Sequence, residues 1–268
     1  MNSSLDFLYH RIKNNNLRVE EAQSKVCQEI LVSKIASDDF LNSKVAFKGG
    51  LIIDAITDGK RGYTKDIDFD LIKYPLSNEG LNNFFSRLND SAIYPNVRIE
   101  VLEINELRHK NYQGRRVILC FDDGKSKFNL NIDIGIFLPL IKRNRKFQYN
   151  IAFGGNEEIN VNPVERIIAE KISTFGIYLT DNTRIKDLYD AYYLITHIDH
   201  DKEIVMKMLK MILVVKNHFY KTFDFALKAI IETLTDDDYV KLIKQDKRNW
   251  TDIDTSILIA EIIKYLSK

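Results

Sequence analysis

A short segment of the chain, Asp66–Leu71, alternates aspartate with large apolar residues. If this segment is a strand, Asp66, Asp68 and Asp70 lie on one face, because side chains two residues apart point the same way. Carboxylate oxygens are the hard ligands that Mg²⁺ prefers. The pattern therefore predicts a place for a divalent cation, although an acidic edge strand that faces water would show the same alternation.

A glycine pair precedes the aspartate segment and follows a short apolar run. Residues 45–47 predict a strand that enters Lys48-Gly49-Gly50, and a helix is predicted directly after the glycines. Backbone N–H groups at the start of a helix can bind phosphate. A turn over residues 58–62 then returns the chain to the aspartates. This order of elements favours a metal and phosphate site over a surface strand.

A further aspartate lies in the middle of a later strand. Residues 127–137 alternate between apolar and polar side chains, which predicts a strand with Asp133 on its polar face. Asp122-Asp123-Gly124 is a good hairpin turn before it. If this strand lies beside the aspartate segment, the carboxylate of Asp133 joins the others. Otherwise Asp133 faces water.

Beyond residue 160 the chain has the periodicity of helices. Asn162-Pro163 predicts a helix start, with Asn162 as the cap, and Lys171 lies near the apolar stripe of that helix. A lysine in this position either directs its charge at a phosphate or pairs with a neighbour at the edge of the core. The next predicted helix, residues 184–198, places Asp187 and Asp190 on roughly one face.

These segments together resemble the nucleotidyltransferase fold of the polymerase-β type and, more narrowly, the AbiEii/AbiGii toxin family. The matching stretches are FKGGLIIDAI, YTKDIDFDL, AEKISTF and NTRIKDLYDAYYL, which span Phe47 to Leu194. The resemblance implies an α+β fold with a nucleotidyltransferase-type mixed sheet flanked by helices. A helical domain follows the sheet, so that residues 1–155 form the first domain and residues 156–268 the second.

The resemblance also implies the residues of the site. Its metal ligands are Asp66, Asp68 and Asp133, which would hold two Mg²⁺ ions, and its further catalytic residues are Lys171 and Asp187 of the helical domain. The residues expected to contact the nucleotide are Lys48, Gly49, Gly50, Thr64 and Arg184.

The chain departs from the wider pattern at two places. The superfamily usually has Gly-Ser where this chain has Gly49-Gly50, so that a hydroxyl contact to phosphate would have to come from Thr64. Family members often carry a basic residue shortly after the lysine, and Phe175 stands there instead. Arg184 would then supply that charge.

The function implied by the resemblance is metal-dependent transfer of a nucleoside monophosphate from an NTP to an RNA acceptor such as tRNA. Such a protein would be the toxin of a toxin–antitoxin or phage abortive-infection system, with a cognate antitoxin as its partner. One alternative is a non-catalytic protein that retains the fold and binds a nucleotide or a partner. A small-molecule nucleotidyltransferase is the other.

Net charge gives no global signal for nucleic acid, because the 268 residues carry a formal charge of only +1. Any contact with RNA must therefore come from a local patch. The densest basic cluster comprises Lys142, Arg143, Arg145 and Lys146. It is either a solvated loop or a surface that docks a polyanion.

The sequence predicts a cytoplasmic protein without membrane segments. Its longest apolar run, residues 211–215, is far too short to cross a bilayer, and no apolar leader is visible. Cys27 and Cys120 have no metal-ligand spacing and are expected to be buried thiols.

Overall fold

The computed structural model describes residues 4–13, 17–107, 114–136, 145–216 and 218–267. The chain divides into two compact units, Met1–Asn162 and Pro163–Lys268, here called the sheet unit and the helical unit. The sequence predicts a division after residue 155. The observed division lies seven residues later, because Asn156–Val161 is a strand of the sheet.

The sheet unit contains the strands and the first helices. Its helices are α1 (Leu5–Lys13), α2 (Val19–Ala36), α3 (Asp39–Ser43), α4 (Gly49–Ile56) and α5 (Asn78–Arg87). Its strands are β1 (Val45–Lys48), β2 (Ile67–Leu71), β3 (Arg98–Glu106), β4 (Arg115–Asp122), β5 (Lys127–Ile136), β6 (Arg145–Asn150) and β7 (Asn156–Val161).

The seven strands form one mixed sheet in the order β3-β4-β5-β2-β1-β7-β6. Strand β2 runs parallel to β5 and antiparallel to β1, while β1 runs parallel to β7. The two strands that carry the predicted acids, β2 and β5, are therefore neighbours near the middle of the sheet. This confirms the sequence prediction of a mixed sheet flanked by helices.

The strand alternation seen in the sequence follows from burial. Ile67, Phe69 and Leu71 of β2 are buried in the core, as are Ile132 and Ile134 of β5. Since successive side chains of a strand point to opposite faces, the polar residues between them are directed to the other face. The apolar set thus fixes which face carries the acids.

Helix α3 depends on a single aspartate at its N-terminus. The carboxylate of Asp38 accepts hydrogen bonds from the backbone N–H groups of Phe40 and Leu41. It also accepts one from Arg87 Nη2 of α5, at 3.2 Å. Burial opposes ionisation of Asp38, but the hydrogen bonds from Arg87 and from the helix outweigh it and lower the pKa of this carboxyl.

We expect Asp38→Ala to lower the free energy of unfolding of the sheet unit by about 1 kcal/mol at neutral pH, the usual loss for a helix cap. A lowered pKa means that this contribution is present above the unfolded-state value of about 4 and is lost as the pH falls through the lower folded-state value. Urea unfolding at neutral pH and at low pH measures the difference. The control is Asp39→Ala, which removes an exposed carboxylate next to the cap; an equal loss in both variants would contradict the role of Asp38.

The helical unit consists of α6 (Val164–Ile177), α7 (Lys186–His197), α8 (Lys202–Lys210), α9 (Phe223–Thr235), α10 (Asp237–Gln245) and α11 (Thr255–Ser267). A π-helical segment, Met211–Lys216, continues α8. Among the described residues no helix combines the length and the apolar character that crossing a membrane requires.

The sequence patterns did not indicate two local features. Helix α1 buries Leu5, Leu8 and Ile12, and the large side chains of Phe219 and Phe225 are 46% and 61% exposed. These segments are short or amphipathic, so composition alone did not indicate which of their apolar side chains are covered.

Candidate active site

Strand register brings two of the predicted acids side by side. Asp68 of β2 and Asp133 of β5 are direct partners across the parallel pair, so their side chains lie on the same face of the sheet. Asp66 lies immediately before β2, two residues from Asp68. The sheet unit therefore gathers Asp66, Asp68 and Asp133 along one face.

An arginine that the sequence analysis did not assign to the site joins these acids. Arg116 of β4 is the direct partner of Asp133. Its Nε and Nη2 each lie 2.7 Å from one carboxylate oxygen of Asp133, and Nη2 lies 4.0 Å from Asp66 Oδ2. The hairpin turn could have revealed this pair, because pairing Asp122 with Lys127 places Arg116 opposite Asp133 when the register is counted back.

The glycine pair lies against the acids. Gly49 is the first residue of α4 and has a φ of +67°, in the left-handed region that favours glycine. A Cβ atom at this position would collide with the Asp68 carboxylate, since it would lie 2.9 Å from Cγ of Asp68. The start of α4 and the carboxylate of Asp68 are therefore in direct contact.

The space beside Gly50 is filled by two polar side chains. A Cβ atom at Gly50 would lie 2.6 Å from Thr64 Oγ1 and 2.9 Å from Arg61 Nη1. Thr64 thus places its hydroxyl in the volume that a side chain at position 50 would occupy. Arg61, which is buried, was not predicted; its position in a turn rich in glycine and charge gave no signal of burial.

Lys48 and Asp70 form a buried pair within the sheet. Lys48 Nζ lies 3.1 Å from Asp70 Oδ1, and Asn162 Nδ2 donates a hydrogen bond to Asp70 Oδ2 at 2.7 Å. Asn162, expected to cap the next helix, makes no such cap: the residue at the N-cap is Pro163. Asp70, the third acid of the aspartate segment, is completely buried. Its carboxylate links β2 to Lys48 of β1 and to Asn162.

Substituting Gly49 by alanine tests the close approach of α4 to Asp68. Gly49→Ala should slow a reaction at this site by about 10²-fold, because displacing a reacting or binding group by about 1 Å has effects of that size. Gly59→Ala is the matched control, since Gly59 has a φ of +79° with nothing within 4 Å of an added Cβ. It carries the same backbone strain of about 1–2 kcal/mol without the collision. Equal activity of the two variants, measured with both shown folded by circular dichroism, would contradict the contact.

Burial and charge act in opposite directions on the acids. Burial raises the pKa of the Asp66 carboxyl, and the nearby Arg116 guanidinium limits that rise. The hydrogen bonds to Asp133 raise the pKa of Arg116 above its ordinary value. Arg116 is therefore a permanent positive charge among the acids.

The donor set fits a divalent cation at two of the three predicted ligands. Asp66 Oδ1 is buried without a hydrogen-bond partner, which leaves an oxygen available to a ligand. Asp68, two residues further along the chain, supplies a second carboxylate. Asp133, in contrast, has both oxygens bound to Arg116. Within the described residues no three His, Cys, Asp or Glu side chains are grouped to hold one ion.

The predicted residues of the helical unit form their own cluster. The ammonium group of Lys171 on α6 contacts the carboxylate of Asp187 on α7 and lies 3.1 Å from Asp190 Oδ2. Asp190 is fully buried and accepts a hydrogen bond from Trp250 Nε1 at 3.2 Å. Arg184 Nε lies 3.2 Å from Asp187 Oδ2. The expected lysine and aspartate therefore meet, and Asp190 joins them.

The predicted basic cluster is described only in part. Lys142 and Arg143 lie outside the described residues. Arg145 opens β6, and Lys146 Nζ lies 2.9 Å from Glu158 Oε1. The charge of Lys146 is thus partly balanced within the sheet.

Two crystal structures from Helicobacter pylori share the mixed-sheet fold of this chain. A candidate nucleotidyltransferase is 17% identical with a TM-score of 0.50, over 94% of this chain and 95% of that chain. The protein JHP933 is also 17% identical with a TM-score of 0.50, over 91% of this chain and 90% of that chain. At this identity the likeness concerns the fold alone.

The family model for the nucleotidyl transferase AbiEii toxin of type IV toxin–antitoxin systems matches residues 29–259. The chain belongs to this family, which confirms the resemblance drawn from its motifs. Membership implies an antitoxin as partner. The comparison with curated proteins gave no match.

Proposed function

We propose that this protein transfers a nucleoside monophosphate from an NTP to a hydroxyl group of an RNA acceptor. The observation that carries the proposal is the contact between the Asp68 carboxylate and the start of α4 at Gly49. The N–H groups of a helix N-terminus bind phosphate oxygens. A carboxylate binds the divalent cation that accompanies a nucleoside triphosphate. Side by side, the two features suit a cation-bound triphosphate.

Asp66 and Asp68 would hold the divalent cation, which when bound supplies charge neutralisation for the phosphates and the leaving group. The acceptor hydroxyl oxygen attacks the α-phosphorus and its proton is released to water, the bond between that phosphorus and the bridging oxygen breaks, and pyrophosphate leaves. Transfer of this kind requires little covalent chemistry from the protein and depends on positioning and charge. The backbone of Gly49 and Gly50 would cradle the triphosphate, and the Thr64 hydroxyl beside Gly50 would donate a hydrogen bond to a phosphate oxygen.

Cationic groups complete the proposed machinery. Arg61 lies beside Gly50, where its guanidinium suits phosphate oxygens. The family resemblance supports Lys171 and Asp187 of the helical unit as further catalytic residues. Within that unit Asp187 contacts the ammonium group of Lys171 and lies 3.2 Å from Arg184 Nε. Lys48 is engaged by Asp70 and therefore serves by holding β1 and β2 in register.

One labelling assay tests which acceptor is used. Purified protein is incubated with Mg²⁺, with NTPs labelled at the α-phosphate, and with either total RNA or a small-molecule pool. Label in RNA supports the proposal, whereas label only in small molecules identifies a small-molecule nucleotidyltransferase. Absence of label in both pools, with all four NTPs, would indicate a non-catalytic binding protein.

Membership of the AbiEii family supports a toxin role, and the proposed partner is a cognate antitoxin. We expect expression of the chain to arrest bacterial growth and the Asp68→Asn variant to be harmless at equal protein level. Growth arrest by both proteins would separate toxicity from nucleotidyl transfer.

A further inference from the structure

A guanidinium occupies the position beside Asp133 that a second cation would need. Both N–H donors of Arg116 that face β5 are bound to Asp133, one to each carboxylate oxygen at 2.7 Å. This two-point geometry matches the planar fork of arginine to the carboxylate and is the strongest arrangement of such a pair. Both carboxylate oxygens of Asp133 are therefore already bound to the arginine cation.

The sheet register builds this arrangement into the fold. Arg116 is opposite Asp133, Asp133 is opposite Asp68, and Asp68 is opposite Lys48 across four consecutive strands. Direct partners on neighbouring strands share a face and lie about 5 Å apart. The row therefore has a fixed order of charges, with a cation at each end and two aspartates between.

We infer that Arg116 is a fixed substitute for a second metal ion, so that the chain holds one divalent cation at Asp66 and Asp68 and keeps Asp133 as an arginine-bound carboxylate. The inference rests on the proposed function. It assigns Arg116 as a positioning residue, which acts by orienting Asp133 and neutralising it. The expectation of two Mg²⁺ ions is thereby replaced by one ion and one guanidinium.

The test counts ions and does not depend on turnover. Mn²⁺ alone is titrated into the full-length chain to millimolar concentration, and the bound ions are counted from the loss of the free-ion signal in electron paramagnetic resonance. The first variant is Arg116→Gln, which removes the guanidinium from both carboxylate oxygens of Asp133. The matched control is Arg115→Gln. Arg115 is the next residue on β4, and its side chain pairs with Glu106.

We expect one Mn²⁺ per chain in the wild type and in Arg115→Gln, and two in Arg116→Gln, with coupling between the two spins. The double variant Arg116→Gln/Asp133→Asn should return to one. Two ions in the wild type would overturn the inference and leave the proposed function intact. An unchanged count in Arg116→Gln would overturn the role of Arg116, and no bound ion in any protein would overturn the metal-dependent function itself.

Discussion

Asp68→Asn is expected to lower the rate of nucleotidyl transfer by at least about 10²-fold, because it removes one preorganised charge from the centre of the proposed site. Asparagine keeps the size of the side chain, and so the close packing against Gly49 is retained. The measurement is kcat/KM for incorporation of label into RNA at fixed Mg²⁺. Urea unfolding of the variant then separates loss of chemistry from loss of fold.

The control for this prediction is Asp122→Asn, the same chemical change on β4 at the hairpin turn. Asp122 pairs with Lys127 at 2.8 Å and accepts a hydrogen bond from Gly124 N, at the far end of the strand from Arg116. Its activity should remain within about twofold of the wild type, since surface charge changes have small effects. If Asp68→Asn retained as much activity as Asp122→Asn, Asp68 would have no part in the reaction.

Lys171→Met should have the largest effect on stability. Its ammonium group is buried between Asp187 and Asp190, and removing one partner of a buried ion pair typically costs about 3–5 kcal/mol because the other charges remain in the core. The variant should also lose about 10²-fold in transfer if its charge serves the nucleotide. Urea unfolding measures the first effect, and label transfer at a temperature where the variant is folded measures the second.

An exposed lysine of the same helical unit provides the comparison. Lys241 lies 2.9 Å from Asp238, with side chains that are 70% and 92% exposed. Lys241→Met should change stability by less than about 1 kcal/mol, as is usual for surface pairs, and should leave transfer unchanged. If Lys171→Met is destabilised but fully active per folded molecule, the lysine is a structural residue only, and its assignment to catalysis is wrong.

The centre of the fold was predictable from sequence because its patterns are local. Alternation over Asp66–Leu71 and over β5 identified two strands, and Asp122-Asp123-Gly124 identified the hairpin between β4 and β5. Strand β7 was missed because its first residues, Asn156 to Glu158, are polar and have no alternating pattern. Helix α1 was missed because only three of its nine residues are buried.

The site was predictable where residue type alone carries the chemistry, and not where the role depends on a neighbour. Asp66, Asp68 and Asp133 do lie on one face of the sheet, but no local pattern pointed to Arg116, which lies opposite Asp133. The assignment of Asn162 as a helix cap was wrong because a buried carboxylate, Asp70, is the stronger acceptor for its amide. The role of a charged residue in a sheet thus depends on its cross-strand partner, as Arg116 opposite Asp133 shows.

The most direct test of the account compares NTP labelled at the α-phosphate with NTP labelled at the γ-phosphate, using wild-type protein and Asp68→Asn with Mg²⁺ and RNA. We predict that the α-label enters the RNA and the γ-label appears in pyrophosphate, and that Asp68→Asn yields neither product. Transfer of the γ-label to RNA, or equal incorporation of the α-label by both proteins, would contradict nucleotidyl transfer at the aspartate site.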